Sequence, residues 1–160
     1  MDILVGIDGS PASTQALAWA LEQARLRGAA TILAVHAYRR PDARSPYAYR
    51  QPHFSANLVN RLLDEERTWR DDQETIARRR AEAVVDRAIR EVIGEPGDGN
   101  VAIKRIVVPG EPARTLIEMS ESADVLVVGN RGRGGFRGLR LGSVSQQCVN
   151  YAQCPVMVIR

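Results

Sequence analysis

Residues 125–145 read VLVVGNRGRGGFRGLRLGSVS, and the fold is decided there. Val125 to Val128 is unbroken aliphatic sequence, four residues long, the mark of a strand covered on both faces. From Gly129 to Gly142 the chain then holds six glycines and four arginines. Val144 to about Tyr151 reads as a short capped helix, with Ser143 and Ser145 at its start. A flexible surface loop is the plain reading of any glycine-rich segment. A glycine loop between a buried strand and a helix start says more. Glycine lets backbone N–H groups approach an anion closely, and the first amides of a helix lack intrahelical partners and carry the positive end of its dipole. The Ser143 and Ser145 hydroxyls add donors, and Arg131 and Arg133 are placed to reach phosphate oxygens.

Working outward, the same grammar repeats. Ile3 to Ile7 is a short apolar strand, broken by Gly6 and ending at Asp8, Gly9, Ser10 and Pro11. Ser10 caps the next helix and Pro11 suits its first turn, where a missing N–H costs nothing. Leu17, Leu21 and Ala24 recur at helical spacing, and Gly28 stops the helix. Thr31 to Ala37 is a second buried strand. Arg39 to Pro52 carries three prolines and no period, so it reads as a loop; Asn57 to Leu63 reads as one or two helical turns. From about Thr75 the period is helical through Ile76, Ala77, Ala81, Val84, Val85, Ala88, Ile89 and Val92, until Gly94, Pro96, Gly97 and Gly99 end it. Val101 to Val108 is a strand, followed by a turn at Pro109 and Gly110. Glu111 and Pro112 open a helix with Leu116, Ile117 and Met119 inward, and Pro155 to Ile159 is the last strand. Apolar strands alternating with amphipathic helices predict an α/β fold: one open, mostly parallel five-stranded sheet with helices on both faces and right-handed crossovers. The expectation is a single domain over 1–160, elaborated at about 39–72.

Composition narrows the function. The chain has 22 Lys and Arg against 19 Asp and Glu, a net charge of +3, too little to point to nucleic acid. The densest basic run, Arg78 to Arg80, is interleaved with Glu74, Glu82 and Asp86 and reads as a solvated helix face. No apolar stretch approaches the length of a membrane span and no signal-like segment precedes the first strand, so a cytoplasmic protein is expected. Cys148 and Cys154 sit among apolar residues and read as buried thiols. Two histidines and two cysteines this scattered make no metal cluster, and no nucleophile, base and acid set stands out.

In an open α/β sheet ligands bind beyond the carboxyl ends of the strands, where strand order reverses. The two polar strand ends are Asp8 with Ser10, and Gly129 with its loop. The loop is not a Walker motif, since it lacks the Gly-Lys-Ser/Thr ending. Nor is it a dinucleotide fingerprint: the first strand is followed by Asp8, Gly9 and Ser10, and the second ends His36, Ala37, Tyr38, Arg39 with no acid for a ribose.

Taken together, the residues resemble the universal stress protein family over nearly the whole chain. Its nucleotide motif, Gly, two residues, Gly, nine residues, Gly, then Ser or Thr, falls without a gap on Gly129, Gly132, Gly142 and Ser143, with Ser145 at the second hydroxyl position. The resemblance implies a Rossmann-like, adenine nucleotide alpha-hydrolase-like fold and bound ATP. It places Asp8 against ribose and phosphates, Gly6 on the same strand end with Ser10 just beyond, the Ala37 backbone on the adenine, Val108 in the turn after the third strand, Val128 near the base and Val144 with the phosphate-binding serines. It also implies a homodimer through the C-terminal strand. If Mg²⁺ accompanies the nucleotide, Asp8 is the carboxylate near it.

The functional reading is therefore an ATP-binding regulatory or stress-response protein with slow hydrolysis or none, because no base is positioned for attack at the γ-phosphate. Its rivals are an ATP-dependent enzyme cleaving at the α-phosphate, which needs a paired acid, base or metal set, and a nucleotide-free structural dimer. Gly142 is the glycine expected to be least replaceable, on the ground that a side chain there invades the phosphate space or forbids the backbone angles. His36 reads as a buried, hydrogen-bonded histidine and Trp19 as packing at a helix edge. Trp69 covers the core or lies at an interface, and His53 has no partner in the sequence.

Overall fold

The computed structural model describes residues 1–28, 30–40, 56–93, 101–132 and 141–160. Its centre is built from the two most apolar strands, β1 (Asp2–Gly6) and β4 (Val125–Gly129), which lie side by side with Ile3 against Val125 and Val5 against Val127. Ile3, Leu4, Val5, Leu126 and Val127 have no solvent exposure, each worth about 1.5–3 kcal/mol relative to an exposed side chain. β2 (Thr31–Tyr38) pairs with the other edge of β1, β3 (Ala102–Pro109) with β2, and β5 (Val156–Ile159) with β4. All four pairings are parallel and the order is β3-β2-β1-β4-β5. The chain winds from β1 outward to β3, then returns to the far side of β1, so the switch point lies between β1 and β4.

Alternation along the strands sends Ile3, Val5, Ile32, Ala34 and Val127 to one face and Leu4, Val35, Leu126 and Val128 to the other. The first face is covered by α1 (Pro11–Arg27) and α2 (Ala56–Ile93), through Ala16, Leu17, Ala20, Leu21, Val85 and Ala88, with Trp19 packed at the edge. The second is covered by α3 (Pro112–Met119) and α4 (Ser143–Tyr151), through Leu116 and Cys148. Burial pushes the Cys148 thiol up to about 11. Cys154 is half-buried against the same cluster, less enclosed than the sequence implied. Gly28 ends α1 as expected, at φ 71°, donating to the Ala24 carbonyl at 3.1 Å.

α2 differs from the sequence reading. Two short helical turns and a later helix merge into one helix of 38 residues, about 57 Å long at 1.5 Å per residue. The stretch from Ala56 to Ile93 has no proline or glycine to break it. Charge pairs one turn apart support it along its length: Glu66 with Arg70, ahead of the core-packed part, then Arg78 with Glu82 and Arg87 with Glu91. Polar sequence without an apolar stripe hid this continuity. Among the residues whose burial is described, Ala81, Val85 and Ala88 are the buried ones, and Ile76 is 43% exposed rather than inward. On α3 the inward residues are Ala113 and Leu116, with Ile117 only half-buried. The glycines and proline expected to end α2, the loop prolines and His53 lie outside the described residues.

Candidate functional site

Two strand-to-helix junctions meet at the switch point. At the end of β1, Gly9 takes φ 77° and folds the chain so that Asp8 turns back on Ser10. Asp8 Oδ1 accepts from the Ser10 N–H at 2.9 Å and from the Ser10 hydroxyl at 2.6 Å. The same Ser10 Oγ accepts from Ser13 N at 3.2 Å, so it caps α1 as the sequence predicts, with Pro11 in the first turn. Asp8 and the cap of α1 are thus one unit.

At the end of β4, Asn130 pins the glycine loop. Its N–H donates to the Ile159 carbonyl at 2.6 Å and its carbonyl accepts from Gly142 N at 2.7 Å, bringing Gly142 back beside the strand end. Gly142 is the N-cap of α4, at φ −73° and ψ 162°, and it has no side chain with which to cap this end. The expected serine cap is therefore absent here. By helix geometry the amides of Ser143, Val144 and Ser145 have no intrahelical acceptor. The Ser145 hydroxyl, expected toward phosphate, donates instead to the Gly129 carbonyl at 2.6 Å and ties α4 to β4. Ser143 remains exposed at the helix start.

The glycines differ in what they permit. A Cβ at Gly129 would lie 2.7 Å from the Ala12 carbonyl carbon and 2.8 Å from its Cβ, so this glycine lets α1 sit on β4. One at Gly132 would collide with Asp8 Oδ2, so the loop passes directly over the carboxylate. At Gly6 the obstacle is Leu116 Cδ1, at 2.8 Å. Gly142 is a correction. Its angles suit any residue, and among the described residues a Cβ would meet nothing nearer than 3.5 Å. The expectation that the backbone angles at 142 forbid a side chain does not hold; within the protein Gly129 and Gly132 are the tight positions, and a side chain at Gly142 would enter the polar end of the pocket.

Between these junctions lies a pocket of about 510 Å³, a size typical of small-molecule sites. One end is apolar, formed by Val35, Ala37, Leu116 and Val128 with Gly6 beneath. The other end is polar, with Asp8, Gly129, Arg131, Gly132, Gly142, Ser143, Val144 and Ser145. The structure thus assembles the sequence-predicted set at one place, with three exceptions. Ser10 is buried behind Asp8. Val108 lies one strand further out, opposite Ala37 in register. Arg133 lies outside the described residues. Sequence reasoning missed Ile7, Ser13, Val35, Pro112, Leu116 and Leu141, which also line the pocket. Pro112 and Leu116 had a signal, the short helix after β3, but nothing local says that α3 packs over the β1 end. Among the described residues no group of three or more His, Cys, Asp or Glu side chains is placed to hold a metal, and no helix is long and apolar enough to cross a membrane.

Known proteins give the same picture. The chain is 35% identical over 158 residues to the universal stress protein Rv1996 of Mycobacterium tuberculosis, covering 99% of this chain and 43% of that relative, less than half of its length. Its fold matches the universal stress protein UspA of Lactobacillus plantarum at a TM-score of 0.60 and 22% identity, over 100% of this chain and 97% of that one. It also matches an Arabidopsis thaliana universal stress protein family member solved with AMP bound, at a TM-score of 0.53 and 22% identity, over 99% of this chain and 90% of that one. The Universal stress protein family profile matches residues 1–160. With its parallel five-stranded sheet, its glycine loop after β4 and this match along the whole sequence, the chain belongs to the universal stress protein family.

Proposed function

We propose that this chain binds ATP across the ends of β1 and β4 and acts as a regulatory, stress-response nucleotide binder with slow hydrolysis or none. The observation that carries the reading is the uncapped start of α4 at the polar end of an otherwise apolar pocket. Three converging amides and a helix dipole favour phosphate. Val35, Leu116 and Val128 offer apolar surface to a base, and the Ala37 backbone offers its hydrogen bonds. The amides of Ser143, Val144 and Ser145, with the Ser143 hydroxyl, hold the phosphates, and Arg131 stands at the rim. Ser145 contributes its amide, since its hydroxyl is committed to Gly129. The relative solved with AMP supports adenine.

Mg²⁺ fits as a companion of the phosphates and not as a resident ion. Asp8 is a single carboxylate whose Oδ1 is held by Ser10 and whose Oδ2 lies on the loop side, under Gly132. Mg²⁺ characteristically takes one or two carboxylates plus phosphate oxygens. Bound there, the ion would neutralise the repulsion between Asp8 and the nucleotide.

The dimer reading rests on β5. Among the described residues it pairs with β4 alone and leaves its outer edge open, and its Met157 and the α4 residues Val149 and Tyr151 are exposed. An unpaired apolar edge favours pairing with a second copy. Sedimentation then gives twice the 17.6 kDa chain mass. A cytoplasmic site of action belongs to the same proposal.

Mass analysis of ligand released from freshly purified protein, followed by calorimetry with ATP and Mg²⁺, tests the function. Retained adenine nucleotide or saturable ATP binding supports it. An empty protein that binds no ATP overturns it in favour of a nucleotide-free dimer. Rapid phosphate or pyrophosphate release points to an enzyme.

A further inference from the structure

The last rung of the β1–β2 ladder is missing among the described residues, at the place where His36 meets the end of β1. In β2 the odd residues turn their backbone groups toward β1: Thr31 N donates to the Met1 carbonyl at 2.9 Å, and the Val35 carbonyl accepts from Ile7 N at 2.8 Å. His36 and Tyr38 face β3 instead, as the bond from Gly110 N to the Tyr38 carbonyl at 2.9 Å shows. Ala37, two residues after Val35, therefore aims its N–H and its carbonyl at the β1 side. The acceptor that a parallel ladder would supply to Ala37 N–H is the Ile7 carbonyl. That oxygen lies 2.6 Å from His36 Nδ1. A carbonyl only accepts, so Nδ1 carries the proton. Strand alternation puts the imidazole with Ile32 and Ala34, on the α1 and α2 face, opposite the pocket side where Ala37 lies. Among the described residues the Ala37 N–H then meets no acceptor, although Ala37 is only 9% exposed and lines the pocket. A buried amide left this way is costly unless a ligand meets it.

We infer that His36 is a positioning residue for base recognition: by holding the Ile7 carbonyl it keeps the Ala37 donor and acceptor open for the edge of an adenine. This rests on the nucleotide reading above. Adenine presents a ring-nitrogen acceptor beside an exocyclic amino donor and so complements an N–H next to a C=O. Hypoxanthine presents the reverse, a ring N–H donor beside a carbonyl acceptor. The site selects ATP over inosine triphosphate because the wrong base leaves buried polar groups unpaired.

The test compares wild type, His36→Phe, which keeps bulk and loses the donor, and His36→Asn, which keeps an N–H near the Nδ1 position. ATP and inosine triphosphate affinities are measured by calorimetry, and amide hydrogen exchange at Ala37 and Val35 is followed by NMR without ligand. The expected result is a wild-type preference for ATP that shrinks about tenfold in His36→Phe, the order of one buried hydrogen bond, and returns in His36→Asn. In the ligand-free wild type Ala37 exchanges faster than Val35. In His36→Phe the released Ile7 carbonyl pairs with Ala37 and slows its exchange, a change that general destabilisation would not produce. Wild type that binds ATP, with an ATP preference and Ala37 exchange unaltered in His36→Phe, overturns the role of His36 alone. Wild type that binds neither nucleotide overturns the nucleotide reading and this inference with it.

Discussion

The two helix starts at the switch point, α1 and α4, are close in sequence chemistry and opposite in what they do with it. Each follows a central strand through a glycine and reaches a serine. At α1 the serine is the N-cap, and its oxygen satisfies Ser13 N while its hydrogen goes to Asp8. At α4 the N-cap is Gly142 and the serines come one position and three positions later, too late to cap. Ser145 reaches back to Gly129 and Ser143 stays exposed. One junction closes on itself and becomes structure. The other keeps its amides for something else. A helix start can be stabilised by its own side chain or by a ligand, and a shift of one residue decides which.

The largest effect expected is on the glycine that brings the two junctions together. Gly129→Ala puts a methyl into the backbone of Ala12, which cannot move without lifting α1 from β4. The loss is about 1–3 kcal/mol of folding stability, the usual cost of overpacking. ATP binding should weaken in parallel, read by urea denaturation and calorimetry. A stable, fully binding Gly129→Ala would mean that the junctions are not rigidly coupled.

Gly142→Asp breaks the comparison directly by giving α4 the cap that α1 has. The backbone angles at 142 suit a capping residue and the space is open. The variant should gain about 0.5–1 kcal/mol of stability without ligand. It should lose ATP affinity at least tenfold, because the carboxylate takes the amides and repels phosphate. Stability rising while binding falls is the signature. Gly142→Ala, in contrast, should stay close to wild type in both.

Ser10→Ala removes the cap of α1 and the hydroxyl held by Asp8, at a cost of about 1 kcal/mol in stability. Ser143→Ala, its counterpart at α4, should cost almost nothing in stability and only weaken ATP. Equal destabilisation by the two would erase the distinction between the junctions. Circular dichroism melts on both variants decide it.

The smallest effect is on pH. Cys148 lies on the buried face of α4, and its thiol titrates at about 11 in the fold against 9.0 for an exposed thiol. Between these values the unfolded chain gives up its proton first and the folded chain keeps it. Stability is therefore unaffected well below pH 9 and falls as pH rises from 9 toward 11, by about 0.4 kcal/mol at pH 9. The decline should be shallower in Cys148→Ala. If the slope is the same, α4 is docked more loosely than α1.

How legible all this was depends on whether the signal was local. The apolar runs at Ile3 to Ile7, Thr31 to Ala37 and Val125 to Val128 announced buried strands, since only a sheet covered on both faces tolerates them. Gly28, Ser10 and Pro11 announced the ends of α1. The continuity of α2 was hidden because residues 64–75, DEERTWRDDQET, are almost all polar and show no apolar period to read. In the site, Asp8 and the glycine spacing were plain, because close backbone approach requires glycine at fixed intervals. Leu116 and Pro112 were not, because their presence over β1 depends on how α3 packs across the sheet.

By itself, then, the sequence determined the strands and every helix but the first half of α2, that the sheet is parallel, and that a glycine loop follows a buried strand. Period, apolar continuity and glycine spacing are properties of neighbours along the chain. Only the tertiary structure decided that β4 lies beside β1, which brings Asp8 under Gly132. It alone decided that Gly129 and not Gly142 is the tight glycine, that Ser145 turns inward to a carbonyl, and that His36 meets the Ile7 carbonyl beside Ala37. Each of these is a distance between residues far apart in sequence, set by the packing of helices against a twisted sheet and carrying no mark in the chain on either side.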